Sequence, residues 1–283
     1  MDSPAFTGVS RAPHYAPSLP RQPREGSIMK ASGNTILVTG GGSGIGRALA
    51  QRWHAAGNRV IVAGRRRTAL EGTAAGHAGM QVRTLDIDDA DAVQAFAREL
   101  IEAFPNLNVL VNNAGTYASE DPRRQRGLAD AERMLLTNVL GPIRLIDALI
   151  EHLRAQPDAA LLNVSSGTAF VPYPAAPTYS ASKAALHSYT AALRPLLQGR
   201  VEVIEIVPPQ VQTELTPGQS QDPNSMPLDA FADEVMALLH PDPASARSPA
   251  EVCVSRVRPF RDAERNGQFN ATLATIVAHL PAD

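Results

Sequence analysis

The chain of 283 residues holds a single cysteine, Cys253. An internal disulfide is thereby excluded, and no cysteine–histidine group has the spacing of a metal site, so no metal is expected. Such thin use of cysteine suits a reducing compartment, and the cytoplasm is the expected location. An excess of one charge is also missing, since the net charge is −2. Neither nucleic acid nor a charged membrane surface is therefore an expected partner. Apolar runs long enough to cross a bilayer are absent, as is the short apolar core of a secretory signal. What remains is a chain with 44% apolar residues, enough for one sizeable core in one domain.

The first thirty residues stand apart. Pro4, Pro13, Pro17, Pro20 and Pro23 break any helix there, and no apolar period appears. Residues 1–30 read as a disordered tail. Met29 directly precedes the first strand-like run and is a second candidate for the native start. From Thr35 onward, β-branched runs alternate with helical stretches. Strands are expected at residues 35–38, 59–63, 81–85, 108–111, 160–164 and 201–207, and helices at 45–56, 68–75, 89–104, 131–153 and 179–198. Several strands are continuously apolar, as in strands buried on both faces. The alternation predicts βαβ units and a parallel sheet. Residues 121–126 read as a surface connection, and Pro195 should kink or end the fifth helix.

A glycine-rich run joins the first strand to the first helix, from Thr39 to Gly46. Gly40, Gly42, Gly44 and Gly46, with Ser43 and Ile45, occupy a tight turn. Main-chain N–H groups there can face a pyrophosphate, aided by the helix dipole. A bare glycine loop is weak evidence, but the strand-to-helix context is the one that dinucleotide binding requires. The second strand runs into Gly64-Arg65-Arg66-Arg67. An acid at Gly64 would bind the ribose 2′-hydroxyl of NAD, whereas arginines such as Arg65 can meet a 2′-phosphate. NADP is accordingly the preferred cofactor and NAD the alternative. Asp86 and Ile87 end the third strand and can flank an adenine, although Asp86 reads equally as a helix N-cap. Asn112-Asn113-Ala114-Gly115 ends the fourth strand, where Asn113, Ala114 and Gly115 can pack beside the cofactor.

Tyr179 and Lys183 lie four residues apart, on one face of the fifth helix. A nearby ammonium favours phenolate, which would bring the tyrosine toward neutrality as a proton donor or acceptor. Ser166 precedes Tyr179 by thirteen residues at the end of the fifth strand and can hold a substrate oxygen. Ser165 is the alternative, with strand alternation expected to send the two serines to opposite faces. Asn138 sits inside the fourth helix, where asparagine is a poor choice. It reads as a member of a water-mediated relay near Lys183, or as an ordinary exposed residue.

As a set, these residues closely resemble the short-chain dehydrogenase/reductase family, over roughly residues 35–213. Within that family the chain is similar to the bacterial oxidoreductases grouped with the DltE-like proteins. The resemblance implies a single α/β domain with a doubly wound, Rossmann-like parallel sheet. It implies hydride transfer between a nicotinamide and a small-molecule carbonyl or alcohol, with Asn138, Ser166, Tyr179 and Lys183 as the catalytic group. It also implies that Lys183 bonds the nicotinamide ribose, and that a homodimer forms through the fourth and fifth helices. After the sixth strand the family usually has Pro-Gly, whereas here Pro208-Pro209 leads to Val211 and Thr213, which can still contact the nicotinamide. A substrate lid is expected at residues 214–231, a short last strand at 251–255 and a terminal helix at 260–280. Tyr117, Phe170, Tyr173 and Met226 are candidates for an apolar substrate wall. The competing function is a cofactor-binding regulator without turnover.

Overall fold

The computed structural model describes residues 29–240 and 249–280. The tail expected at 1–30 lies outside the described residues, save for Met29 and Lys30. These two belong to the folded body: Met29 is buried in the core, and Lys30 pairs with Asp158 at 2.6 Å.

Seven parallel strands form one sheet, in the order β3-β2-β1-β4-β5-β6-β7. They are β1 (Thr35–Thr39), β2 (Arg59–Gly64), β3 (Gln81–Thr84), β4 (Val109–Asn112), β5 (Ala159–Val164), β6 (Val201–Val207) and β7 (Glu251–Cys253). The order reverses direction beside β1, which creates a crevice at the carboxyl ends of β1 and β4. Strand alternation sorts the core into two layers. Ile36, Val38, Val60 and Val62 face one side, while Leu37, Ile61 and Ala63 face the other. Strands β1 and β2 are therefore apolar on both faces, which is why they read as continuous apolar runs.

Helices cover both faces. On the first side lie α1 (Gly44–Ala55), α2 (Arg67–Ala74) and α7 (Leu228–Leu239), with Trp53, Leu70, Phe231 and Val235 buried. On the second lie α3 (Ala90–Ala103), α5 (Gly141–Ala155) and α6 (Pro177–Leu197). Helix α3 shows the local logic. Val93, Phe96, Ala97 and Leu100 form its buried stripe, and Asp89 caps its start by accepting the Ala92 N–H at 3.0 Å. A cap of this kind is worth about 1 kcal/mol.

The fourth expected helix is not a single regular one. Helix α4 (Ala129–Leu135) passes through a π turn, Leu136–Leu140, before α5 begins. The turn carries one extra residue per hydrogen-bonded ring, so the side chains after it rotate relative to those before it. The expected lid overlaps α7: residues 228–231 are its first turn, and Phe231 is fully buried. The expected terminal helix is also broken. It divides into α8 (Arg258–Arg261) and α9 (Phe269–Ala278), with Gly267 at φ +69° between them.

Candidate active site

The glycine loop is held by the end of β4. The Thr39 hydroxyl accepts the main-chain N–H groups of Asn113 at 3.0 Å and Ala114 at 3.1 Å. Asn113 Nδ2 in turn donates to the carbonyls of Thr39 at 3.0 Å and Gly40 at 3.3 Å. The Asn113 amide thus buttresses the loop. Gly40 needs φ +65° and Gly44 φ +49°, a backbone region that favours glycine. A Cβ on Gly46 would lie 2.5 Å from the Gly40 carbonyl oxygen, so Gly46 serves loop packing and does not line the groove. Ser43 makes no side-chain cap on α1, and its first turn has no acid. The first N–H groups of α1 are thereby left for an anion, and the cradle fits a pyrophosphate.

A groove runs along the carboxyl edge in two contiguous parts of about 310 and 160 Å³, which share Gly40, Ser43, Arg66, Ala114 and Gly115. The smaller part is walled by Gly42, Arg65, Asp86 and Ile87. Arg67 turns away and pairs with Glu71 at 2.8 Å, so the three arginines are not equivalent. Arg66 was not distinguished in the sequence, yet it borders both parts of the groove. Asp86 is free of the capping role, which Asp89 takes. Thr137 and Asp88 also line this part, joined by a 2.7 Å hydrogen bond that ties the β3–α3 loop to the π turn.

The larger part contains Ser43, Gly44, Ile45, Asn113, Ser166, Tyr179, Lys183, Val211 and Thr213. Ser166 lies beside the Tyr179 hydroxyl on the same wall, and its Oγ accepts the Thr168 N–H at 3.2 Å. Lys183 Nζ donates to the Val164 carbonyl at 2.9 Å and lies 5.8 Å from the Tyr179 ring centre. Asn138 is buried behind this wall. Its Oδ1 accepts the Thr116 N–H at 2.8 Å, and its Nδ2 donates to the Thr116 carbonyl at 2.9 Å and to Ser182 Oγ at 3.0 Å. Asn138 Oδ1 and Lys183 Nζ both flank Gly115.

The electrostatics differ from the expectation drawn from spacing alone. Burial pushes the Tyr179 hydroxyl up to about 12, against a smaller opposing effect of the neighbouring Ser166 hydroxyl. Burial likewise brings Lys183 down to about 8, against the attraction of Glu205. Lys183 Nζ is turned to the Val164 carbonyl, and desolvation sets the direction of the Tyr179 shift.

The sequence model of the family described as "short chain dehydrogenase" matches residues 34–224. The chain belongs to the short-chain dehydrogenase family. It is an NAD(P)-dependent oxidoreductase. Among its relatives is the Bacillus subtilis "Uncharacterized oxidoreductase DltE", 36% identical over 84% of this chain and 94% of that one. A Chromohalobacter salexigens "Sulfoacetaldehyde reductase 2" is 37% identical over 64% of this chain and 74% of its own. Among solved structures, a short chain dehydrogenase from Burkholderia cenocepacia in complex with NADP superposes with a TM-score of 0.75. It is 23% identical and covers 89% of this chain and all of that one.

In this short-chain dehydrogenase the segment after β6 reaches over the larger part of the groove with Glu214, Leu215 and Gln219. Gln219 Nε2 donates to the Val211 carbonyl at 2.6 Å, and a bridge between Val211 and Met226 pins its far end. Met226 is consequently core, and Phe170 packs on His187 and Arg261, so neither forms a substrate wall. Tyr117 does meet Tyr179 edge-on, with ring centres 5.1 Å apart, and Tyr173 packs with them. Ser165 and Ser166 both reach the groove because β5 ends at Val164 and strand alternation stops there. Among the described residues, no helix is long and apolar enough to cross a membrane.

Proposed function

We propose that the groove reduces a small-molecule carbonyl to an alcohol, with Tyr179 as the proton donor. The observation that carries this reading is the meeting of Ser166, Tyr179 and Lys183 on one wall, beside the glycine cradle. A bound nicotinamide supplies the hydride. Ser166 holds the substrate oxygen against the Tyr179 hydroxyl, and Tyr179, kept protonated by its burial, gives that oxygen its proton. The buried ammonium of Lys183 then stabilises the phenolate left behind. Asn138 fixes the Thr116–Gly115 wall beside Lys183, and Oδ1 keeps a lone pair for a relay water.

NADP is the proposed cofactor over NAD. Arg65 and Arg66 border the smaller part of the groove, and Gly64 stands where a carboxylate would favour NAD. Asp86 and Ile87 flank the adenine end, and Val211 and Thr213 the nicotinamide end. We also propose a cytoplasmic homodimer. Leu135 and Leu140 are exposed beside the π turn, and α6 presents Ala181, Ala185, Ser188, Ala192 and Leu196 outward. Light scattering on the purified protein tests the dimer. Screening NADPH and NADH oxidation over aldehydes, ketones and short acids bearing a carbonyl tests the reaction. Cofactor binding with no turnover across that panel would favour a regulator instead.

A further inference from the structure

Behind the groove a polar row crosses four strands. Asn112 pairs with Asn163, Asn163 with Glu205, and Glu205 with Glu251, in the register of β4, β5, β6 and β7. Helix α6 covers the row. Asn163 Nδ2 donates to Thr190 Oγ1 at 2.8 Å, and Glu205 Oε2 meets His187 Nδ1 at 2.8 Å and Arg194 Nη2 at 3.4 Å. Glu205 is fully buried, and its Oε1 has no hydrogen-bond partner among the described residues. An acid in the middle of a core strand is expensive to desolvate unless opposite charge compensates.

The ligand atoms of His187, Glu205 and Glu251 lie within 4.8 Å of one another, yet the set is poorly matched to a cation. Arg261 occupies both oxygens of Glu251, at 2.5 and 3.0 Å, and Arg194 binds Glu205. Two guanidinium groups already balance the two carboxylates.

The register and helix α6 place this carboxylate next to the surroundings of Lys183. His187 follows Lys183 by one turn of α6, so the two share a helix face. The carbonyl that holds Lys183 Nζ belongs to Val164, the strand neighbour of the Asn163 that pairs with Glu205. We propose that Glu205 is a positioning residue for Lys183: clamped by His187 and Arg194, its buried carboxylate keeps the ammonium charged at the floor of the groove. The inference rests on the role given to Lys183 above. Among the described residues, the charged and titratable groups around the pair include Tyr179, His187 and Arg194 of α6, Glu251 and Cys253 of β7, and Arg258 and Arg261 of α8. Of the charges nearby, that of Glu205 opposes the loss of the Lys183 proton caused by burial.

The chain has only two lysines, Lys30 and Lys183. A ¹³Cε-lysine label therefore gives two signals, one from an exposed side chain and one from the groove. Titrating the ligand-free protein by NMR reads the Lys183 midpoint without substrate or cofactor. Glu205→Gln should lower that midpoint by about one unit, and Glu205→Asp should hold it within roughly half a unit of wild type. If Glu205→Gln does not fold, Glu205→Leu removes the charge while Arg194, 23% exposed, can turn to solvent, and it must move the midpoint the same way. An unchanged midpoint in whichever of these folds overturns the proposal. A lowered midpoint in a protein that reduces no carbonyl would sustain this inference while overturning the proposed reaction.

Discussion

Asn138 and the main chain of Thr116 form a closed pair. The side-chain oxygen accepts the Thr116 N–H at 2.8 Å, and the side-chain nitrogen donates to the Thr116 carbonyl at 2.9 Å. The π turn places this amide beneath Gly115, opposite Lys183. Asn138→Ala leaves the partly buried main-chain groups of Thr116 unpaired. The expected loss of stability is about 2 kcal/mol, with a fall in kcat larger than any change in cofactor affinity. Denaturant unfolding and steady-state kinetics check both, and a variant as stable as wild type contradicts the role.

The glycine loop makes a paired prediction. In Gly46→Ala the new methyl meets the Gly40 carbonyl oxygen at 2.5 Å and the Asn113 amide. Loop and strand end cannot both stay in place, so NADPH binding should weaken by an order of magnitude or more. Gly72→Ala on α2 meets nothing within 4 Å and has no positive φ. It should leave binding intact and raise stability by roughly 0.5–1 kcal/mol. Fluorescence titration with NADPH separates the two.

Cofactor choice turns on the end of β2. A side chain at Gly64 meets Leu70 at 3.7 Å, an ordinary contact. Gly64→Asp therefore fits, and it places a carboxylate where a 2′-phosphate would be repelled. The expected outcome is a shift in kcat/KM toward NADH by about 100-fold, a few kcal/mol of differential charge interaction. Arg65→Ala with Arg66→Ala should weaken NADPH and leave NADH nearly unchanged. Equal losses for both cofactors would show that the arginines do not read the 2′ position.

Lys183 should lower stability where it serves chemistry. Burial takes it from 10.5 to about 8, so the folded state disfavours its charged form. The penalty is present in full below about pH 8 and is relieved as pH rises from about 8 toward 10.5. Lys183→Met should gain roughly 2 kcal/mol at pH 7 after losing the bond to Val164, and lose turnover. Its advantage over wild type should shrink as pH rises through that window. Urea unfolding at pH 7 and pH 10 measures the change.

Much of this was legible before the structure. The six longer strands appear in sequence within a residue or so of their limits, β1, β2 and β4 because buried parallel strands are apolar on both faces. The glycine loop, Ser166, Tyr179 and Lys183 were legible because each sits at a strand end or on one helix turn, where local spacing fixes geometry. The π turn was not, since nothing in Leu136–Leu140 marks an extra residue in a helical ring. Helix α7 carried its signal in Phe231, Val235 and Leu239, which recur every four residues, but the preceding glycine and prolines masked its start. The row from Asn112 to Glu251 could not be read, because pairing across four strands depends on register between distant segments. The interplay of burial and charge at Tyr179 was hidden for the same reason: desolvation depends on the fold, whereas helix spacing shows only the neighbour.

The most direct test is NADPH oxidation by wild type and Tyr179→Phe, measured side by side on a carbonyl substrate that wild type reduces. The substitution keeps the ring packed against Tyr117 and removes only the hydroxyl. Turnover should fall by about 10²–10⁴-fold while NADPH affinity stays within a few-fold of wild type. Equal turnover by the two proteins would contradict the account.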